Sequence, residues 1–338
     1  MVARGHAVTV YKRHAFREKV EIESNYKGVR IISSPTIMKK YLETPLHAFF
    51  SFLDLFKRDF DVILLCNAAN SPFAWLARLA KVPIAINVDG IERNRAKWNL
   101  LGRLWYSLGE RCSIWFANRV VADAQVISDY YLKKYKKNTV VIAYGANAVK
   151  REAGEILSRF KLRAKKYILY VSRLEPENNA LGVIEAYNRL TTDYPLVIVG
   201  DAPYAKEYIK KIKSIAGPGV VFTGYQFAEA YQELQSNCYI YIQATEVGGT
   251  HPALIEAMSY GNCVIANGTP ENIEVLADAG IFYSKNNFEE LSAILNSLLQ
   301  DQEKAQGLGE SAQARAKAVY NWDKITDSYE RLFLQMVD

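Results

Sequence analysis

Residues 246 to 265 read EVGGTHPALIEAMSYGNCVI. Two glycines, a threonine, a histidine and a proline stand here between an apolar run, CYIYIQAT, and a helix-forming run, ALIEAMSYG. Gly248 and Gly249 let a ligand approach the backbone with no Cβ in the way, and Thr250 is placed to cap a helix that has Pro252 in its first turn. Open amides at the positive end of a helix dipole make an anion cradle. Glu256 follows one turn into that helix, which Gly261 closes. A carboxylate there repels phosphate but accepts hydrogen bonds from a ribose or sugar hydroxyl. An anion cradle beside a hydroxyl acceptor fits a nucleotide; the alternative is a glycine loop that only turns the chain tightly.

A second stretch, YVSRLEPENN at 170 to 179, also leaves an apolar run and enters a helix. Arg173 stands at the end of the run and Asn178 or Asn179 is placed to cap. The rigid fork and permanent charge of arginine suit a diphosphate clamp, although a lone arginine also serves as a surface ion pair. His6, His14, His47 and His251 lie far apart with no ligand spacing, so no protein-bound metal is expected. Cys66, Cys112, Cys238 and Cys263 form no CxxC pair and read as reduced thiols among apolar neighbours. No GxGxxG follows a strand, which argues against a nicotinamide-dependent oxidoreductase.

The elements that must position these residues alternate along the chain. HAVTVYK, VRIISS, DVILLCN, PIAINVDG, RVVADA and TVVIAYG read as strands in the first half; KYILYVSR, PLVIVGD, GVVFTGY, CYIYIQA, NCVIANG and AGIFYS do so in the second. Most are apolar on both faces, as buried parallel strands are. Between them lie helical segments such as LGRLWYSLGERCSIWFAN and FEELSAILNSLLQDQEKA. The alternation predicts two doubly wound α/β domains, and in such sheets ligands bind beyond the carboxyl ends of the strands. At 338 residues the chain is long enough for two cores. The seam is expected near Gly145 to Gly154, giving domains of 1–150 and 151–319 and a closing helix over 320–338.

Composition narrows the classes further. Half the residues are hydrophobic and 23% charged, ordinary for a globular protein. The apolar runs are far shorter than the roughly 20 residues of a membrane helix, and the first residues lack a secretory signal, so a cytoplasmic location is expected. Residues 1–150 carry 24 Lys and Arg against 12 Asp and Glu, a net of +12, and the rest of the chain nets −6. A basic half suits an anionic membrane surface, a phosphate-bearing substrate or nucleic acid, or it only aids solubility. YLKKYKKNT at 131–139 reads either as a solvated helix end or as a contact for anionic lipid headgroups; no nucleic-acid motif accompanies it.

The segments VSRLEPENN, FTGY, EVGGTHPALIEAM, GNCVIANGTPENIEVL and YNWDKITDSYE resemble the retaining glycosyltransferases of family 4, which have the GT-B fold. NAANSPF, NVDGIERNRAKW and EVGGTHPALIEAM are most similar to that family's rhamnosyltransferase-like branch, which builds bacterial surface polysaccharides. The likeness runs the length of the chain. It implies two Rossmann-like domains facing across a cleft, with the acceptor on the first, the nucleotide sugar on the second, and a last helix crossing back. It further implies a dTDP- or UDP-sugar donor, rhamnose or another hexose as the sugar, and a lipid-linked or glycan acceptor reached at the inner face of the membrane. No other cofactor is implied. By position Arg173 meets the diphosphate, Glu256 the ribose, Tyr225 the base, and Gly248, Gly249, Thr250 and His251 the diphosphate or sugar. Asn67, Asn70, Asp89 and Glu92 fall on the acceptor side.

Departures from the family pattern bear on function. Asn178 stands where the broader family has a lysine five positions after the arginine. Gly248 replaces the family's first glutamate, with Glu246 two residues earlier. Where many relatives have a histidine after the fourth strand, this chain has Cys66 and Asn67. Asp89 is then the best acceptor-side catalytic group, as a base or a hydroxyl-orienting residue, or else a plain turn aspartate. Relatives open with a strand, a glycine-rich loop and a helix before an ARGH-like segment, and this chain begins MVARGH. About 30 to 40 residues of that pattern are expected to be missing, which would leave the first domain incomplete and a strand edge open. The alternative function is a non-catalytic GT-B descendant that binds nucleotide or a partner subunit.

Overall fold

The computed structural model describes residues 1–16, 21–39, 41–95 and 98–337; Ala96 and Lys97 of NVDGIERNRAKW lie outside the described residues. The chain divides into two compact units.

The first unit takes residues 1–94, 98–142 and 326–338. It opens with β1 (Thr9–Ala15), β2 (Glu23–Tyr26) and β3 (Val29–Thr36), a sheet of order β1-β3-β2 in which β1 runs parallel to β3 and β2 antiparallel. A two-residue turn at Lys27 and Gly28, both with positive φ, joins β2 to β3 as hairpin twist requires. Next come α1 (Glu43–Leu53), β4 (Ile63–Cys66), α2 (Trp75–Leu79), β5 (Ile84–Asn87), α3 (Leu100–Phe116), β6 (Arg119–Ala122), α4 (Gln125–Tyr135) and β7 (Val140–Val141). Strands β4-β5-β6-β7 form a separate, wholly parallel sheet. All four residues of β5 are buried, as expected for a strand covered on both faces. By contrast β1 and β4 are edge strands, with Val10 and Leu64 exposed.

The second unit takes Arg95 with residues 143–325. Its elements are α5 (Glu155–Arg159), β8 (Ile168–Val171), α6 (Ala180–Tyr187), β9 (Leu196–Val199), α7 (Lys206–Ile215), β10 (Val220–Gly224), α8 (Ala228–Asn237), β11 (Ile240–Gln243), α9 (Pro252–Ser259), β12 (Cys263–Asn267), α10 (Pro270–Leu276), β13 (Ile281–Tyr283), α11 (Phe288–Gln300) and α12 (Gln302–Val319). The six strands form one parallel sheet of order β10-β9-β8-β11-β12-β13. Helices cover both faces and bury two apolar layers: Tyr167, Leu169, Val197 and Tyr241 on one side, Ile168, Ile198, Ile240 and Ile265 on the other.

Two boundaries differ from the sequence reading. The seam falls at 142/143 rather than 150/151, because the segment after β7 packs on the second unit: Ala146 N donates to Tyr320 O, and Val149 O accepts from the Tyr260 hydroxyl. The single helix read over FEELSAILNSLLQDQEKA breaks at Asp301, whose carboxylate caps α12 through Lys304 N. The final helix, α13 (Trp322–Val337), has its first residues in the second unit and the rest, from Thr326, in the first. There Tyr329 accepts a hydrogen bond from Asn87, and Glu330 pairs with Arg4 and His6.

Candidate functional site

In the second unit the strand order reverses between β8 and β11, so the loops leaving these two strands diverge to opposite sides. Such a switch point opens a crevice where ligands of parallel α/β sheets bind. Both sequence-selected stretches leave the sheet here. Arg173 lies two residues beyond β8 and is 53% exposed. Glu175 approaches it at 3.9 Å, too long to fix the guanidinium. Behind it, Gly200 follows β9 with φ +134, and any Cβ there would collide with the Ser172 carbonyl. Only glycine lets these neighbouring loops pack so closely.

Asn178 and Asn179 do different work from that expected. The buried Asn178 amide donates to the Arg173 carbonyl at 2.6 Å, so it fixes the arginine's turn rather than presenting itself to a ligand. Neither asparagine caps α6 through its side chain. Asn179 instead donates to Ala244 O at 2.9 Å and to Asn286 Oδ1 at 3.0 Å. Asn267 reaches the same two acceptors, and Asn272 donates to Asn267 O and Thr245 O. This buried amide web holds the start of the 244–251 loop from below. Asn267, Asn272 and Asn286 were not picked out as site residues in the sequence, where they look like ordinary strand and loop asparagines.

The loop itself ends at α9. Pro252 occupies the first helical position, which makes His251 the cap residue in place of the expected Thr250. The His251 side chain does not cap the helix; Pro252 has no amide hydrogen, and Leu254 N and Ile255 N donate to His251 O. Gly248 is needed for a steric reason: a Cβ at that position would fall on the His251 imidazole. Burial, with a further contribution from the positive charge of Arg95, pushes the His251 pKa down to about 4, so the ring is neutral at pH 7. Arg95 is itself buried and lies 3.7 Å from the buried Glu177 carboxylate.

Glu256 is oriented by a relay of side chains. Asn262 Nδ2 donates to Gln235 Oε1 at 3.0 Å, Gln235 Nε2 to the Tyr231 hydroxyl at 2.9 Å, and that hydroxyl to Glu256 Oε2 at 2.6 Å. Burial raises the Glu256 pKa, and the Tyr231 hydrogen bond opposes the rise. With Oε2 held, Oε1 remains to accept from a ligand hydroxyl. At the end of β10, Tyr225 stacks on Phe227 with centroids 5.7 Å apart and planes 19° from parallel. Phe227, more exposed than Tyr225, is a further residue missed by the sequence reading. Its signal was the pair of aromatics two positions apart beyond a strand. Such a pair is a stacking platform for a planar base.

In the first unit, Asn67, Asn70 and Asp89 gather at the carboxyl ends of β4 and β5. Asn67, at φ 73, accepts from Ala69 N and starts a short turn. Asn70 Nδ2 donates to Cys66 O at 2.8 Å. Asp89 sits at φ 55 with its amide donating to Asn87 Oδ1 at 3.0 Å. Its charge adds to burial in raising the pKa of Cys66. Glu92 follows in a 3-10 turn over Glu92–Asn94. Among the described residues no group of His, Cys, Asp and Glu could hold a metal.

Comparison with known proteins adds the following. A family model described as Glycosyl transferases group 1 matches residues 156–315, and one described as a domain of unknown function matches 62–147. An uncharacterized glycosyltransferase of Methanocaldococcus jannaschii is 27% identical over 66% of this chain and 59% of its own length. The O-antigen chain mannosyltransferase B of Escherichia coli is 24% identical over 56% of this chain and 51% of its own. The chain thus spans little more than half the length of these curated relatives. The Anabaena protein HepE, solved in complex with UDP, superposes with a TM-score of 0.74 at 17% identity, covering 91% of this chain and 86% of that one. Residues 156–315 of the second unit thus match the Glycosyl transferases group 1 model, and the fold is the mixed α/β, parallel-sheet architecture of GT-B glycosyltransferases.

Proposed function

We propose that the protein is a retaining glycosyltransferase, moving a hexose or deoxyhexose such as rhamnose from a UDP- or dTDP-sugar onto a glycan or lipid-linked acceptor in surface polysaccharide synthesis. One observation carries the reading: at the switch point of the second sheet, the glycine loop leading into the start of α9 stands one turn from a carboxylate held by the Tyr231 relay. Phosphate and hydroxyl recognition are then side by side, as a nucleotide demands. UDP bound to HepE and the O-antigen relative support the donor and pathway class.

In this proposal the α9 amides and Arg173 take the diphosphate, Glu256 accepts from the ribose, and the Tyr225–Phe227 pair stacks on the base. The bond between the anomeric carbon and the diphosphate oxygen breaks, and Arg173 with the helix end stabilises the charge that develops on that oxygen. The acceptor oxygen bonds the same carbon on the same face. Asp89 orients that hydroxyl or takes its proton. The basic first half suits an enzyme working at the anionic inner face of the membrane.

Calorimetric titration of the protein with UDP and dTDP, beside Arg173→Ala, tests the donor site. Binding by the wild type that weakens at least about tenfold in the variant supports the reading. A folded wild-type chain that binds neither nucleotide would favour a non-catalytic descendant.

A further inference from the structure

Helix α3 packs one side inward and carries an apolar stripe on the side that faces water. Its buried residues are Gly102, Gly109, Glu110, Cys112 and Ser113, with Trp105, Tyr106, Ile114 and Phe116 half-buried beside them. Gly109 lies so close to the Ala68 carbonyl that a Cβ would overlap it. The outer face is apolar: Leu100 is 73% exposed, Leu101 72%, Leu104 57%, Leu108 41% and Trp115 58%. At 100° per residue these five fall within one stripe about 100° wide. A contiguous apolar stripe on a helix that already has its inward contacts marks a surface meant to be covered.

The charges around the stripe indicate what covers it. Arg111 lies within it, folded back so that Nη1 donates to Ser107 Oγ at 3.0 Å. Along one margin Arg93, Arg103, Leu104 and Ser107 line an open depression of about 560 Å³. Past that margin, Glu110 ties α3 to the basic end of α4 by accepting from Tyr130 at 2.8 Å and Lys134 at 3.1 Å. Lys133 and Lys136 are exposed there. An apolar stripe bordered on one side by cations is how a helix lies in the plane of an anionic bilayer, with leucines among the acyl chains and arginines among the phosphates. The helix is not itself a span: among the described residues no helix is long and apolar enough to cross a membrane.

We propose that α3 is the membrane-docking face of this protein, its leucine stripe entering an anionic leaflet while Arg103 and Ser107 receive a lipid phosphate. This deepens the membrane reading given above but does not depend on sugar transfer. It also moves the principal contact from YLKKYKKNT, where Lys134 is engaged by Glu110, onto a helix that the sequence marked only as helical. A second copy of this chain is the weaker occupant, because a two-fold contact through this face would gather the Arg103 and Arg111 charges of both copies into one interface.

The test is co-sedimentation of the full chain with vesicles of phosphatidylcholine alone or with 30% phosphatidylglycerol, comparing wild type with Leu104→Ser/Leu108→Ser and with Arg103→Gln. Wild type should pellet with the anionic vesicles, and the double serine variant should bind about tenfold or more weakly. Arg103→Gln should weaken binding mainly at low salt. Unchanged melting temperature and UDP affinity in the variants would show that fold and donor site are intact. Equal binding by wild type and the serine variant, no binding by wild type, or a wild-type dimer dispersed by the serine substitutions would each overturn the proposal. Loss of UDP binding with vesicle binding retained would defeat the donor reading alone.

Discussion

The two units treat their candidate residues differently. In the second, the Arg173 and Gly248 loops leave β8 and β11, buried but for Val171, and are tied beneath by Asn179, Asn267, Asn272 and Asn286. In the first, Asn67 and Asn70 follow β4, an edge strand with alternate residues exposed; their side chains bond to backbone two and four residues away, while Asn67 N donates to Asn87 O and Trp105 Nε1 to Ala69 O. The buried web resists displacement when a ligand arrives, since moving one amide would leave several buried polar groups unsatisfied. Side chains bonded only within their own turn adjust at lower cost, even where the turn's backbone is held. A donor with a fixed diphosphate geometry matches the first kind of site, and an acceptor glycan matches the second.

Substitutions can break this comparison or sharpen it. Under the proposed function, Asp89→Asn should lower turnover about 10²- to 10⁴-fold while leaving UDP affinity unchanged, as steady-state kinetics beside calorimetry would read. Arg173→Ala should cost about 10²- to 10³-fold in turnover and lose UDP affinity as well. If Asp89→Asn weakened nucleotide binding as much as Arg173→Ala, the division of labour between the units would be wrong.

Stability should show the same asymmetry. Gly200→Ala forces a Cβ onto the Ser172 carbonyl at a left-handed φ and should destabilise the second unit by about 1–3 kcal/mol in thermal unfolding. Tyr231→Phe removes the donor to a half-buried carboxylate and should cost about 1–3 kcal/mol, with a matching fall in UDP affinity.

The last effect is pH-dependent. His251 has its pKa depressed from 6.5 to about 4, so below pH 6.5 the unfolded chain binds the proton more readily than the folded one. Its contribution to stability is complete above pH 6.5 and falls as pH drops toward 4, by up to about 3 kcal/mol before discounting for solvent screening. Denaturant titrations of wild type and His251→Gln should therefore converge with falling pH; a constant gap would remove histidine protonation from the account.

Much of this was legible in the sequence because it is local. Runs such as PLVIVG and CYIYIQ announce strands buried on both faces, and a glycine pair before Pro252 announces a loop entering a helix. What was not legible depends on contacts across the fold. The strand β2, ESNY, has no apolar alternation and exists through pairing with β3. The asparagine web needs β11, β12 and the loop around Asn286 together before its members differ from any other asparagine. Helix α3 gave a clear period, but a period tells which face is apolar and not where it points. Only the packing of Gly109 on Ala68 shows that the leucines face out.

Hydrogen–deuterium exchange of the full chain with and without UDP tests the central claim most directly. The account predicts slowed exchange at amides 249–256 and 173–178 in the second unit, with no change at 67–70 and 89–92. Protection confined to the first unit, or none at 249–256 under saturating UDP, would contradict it.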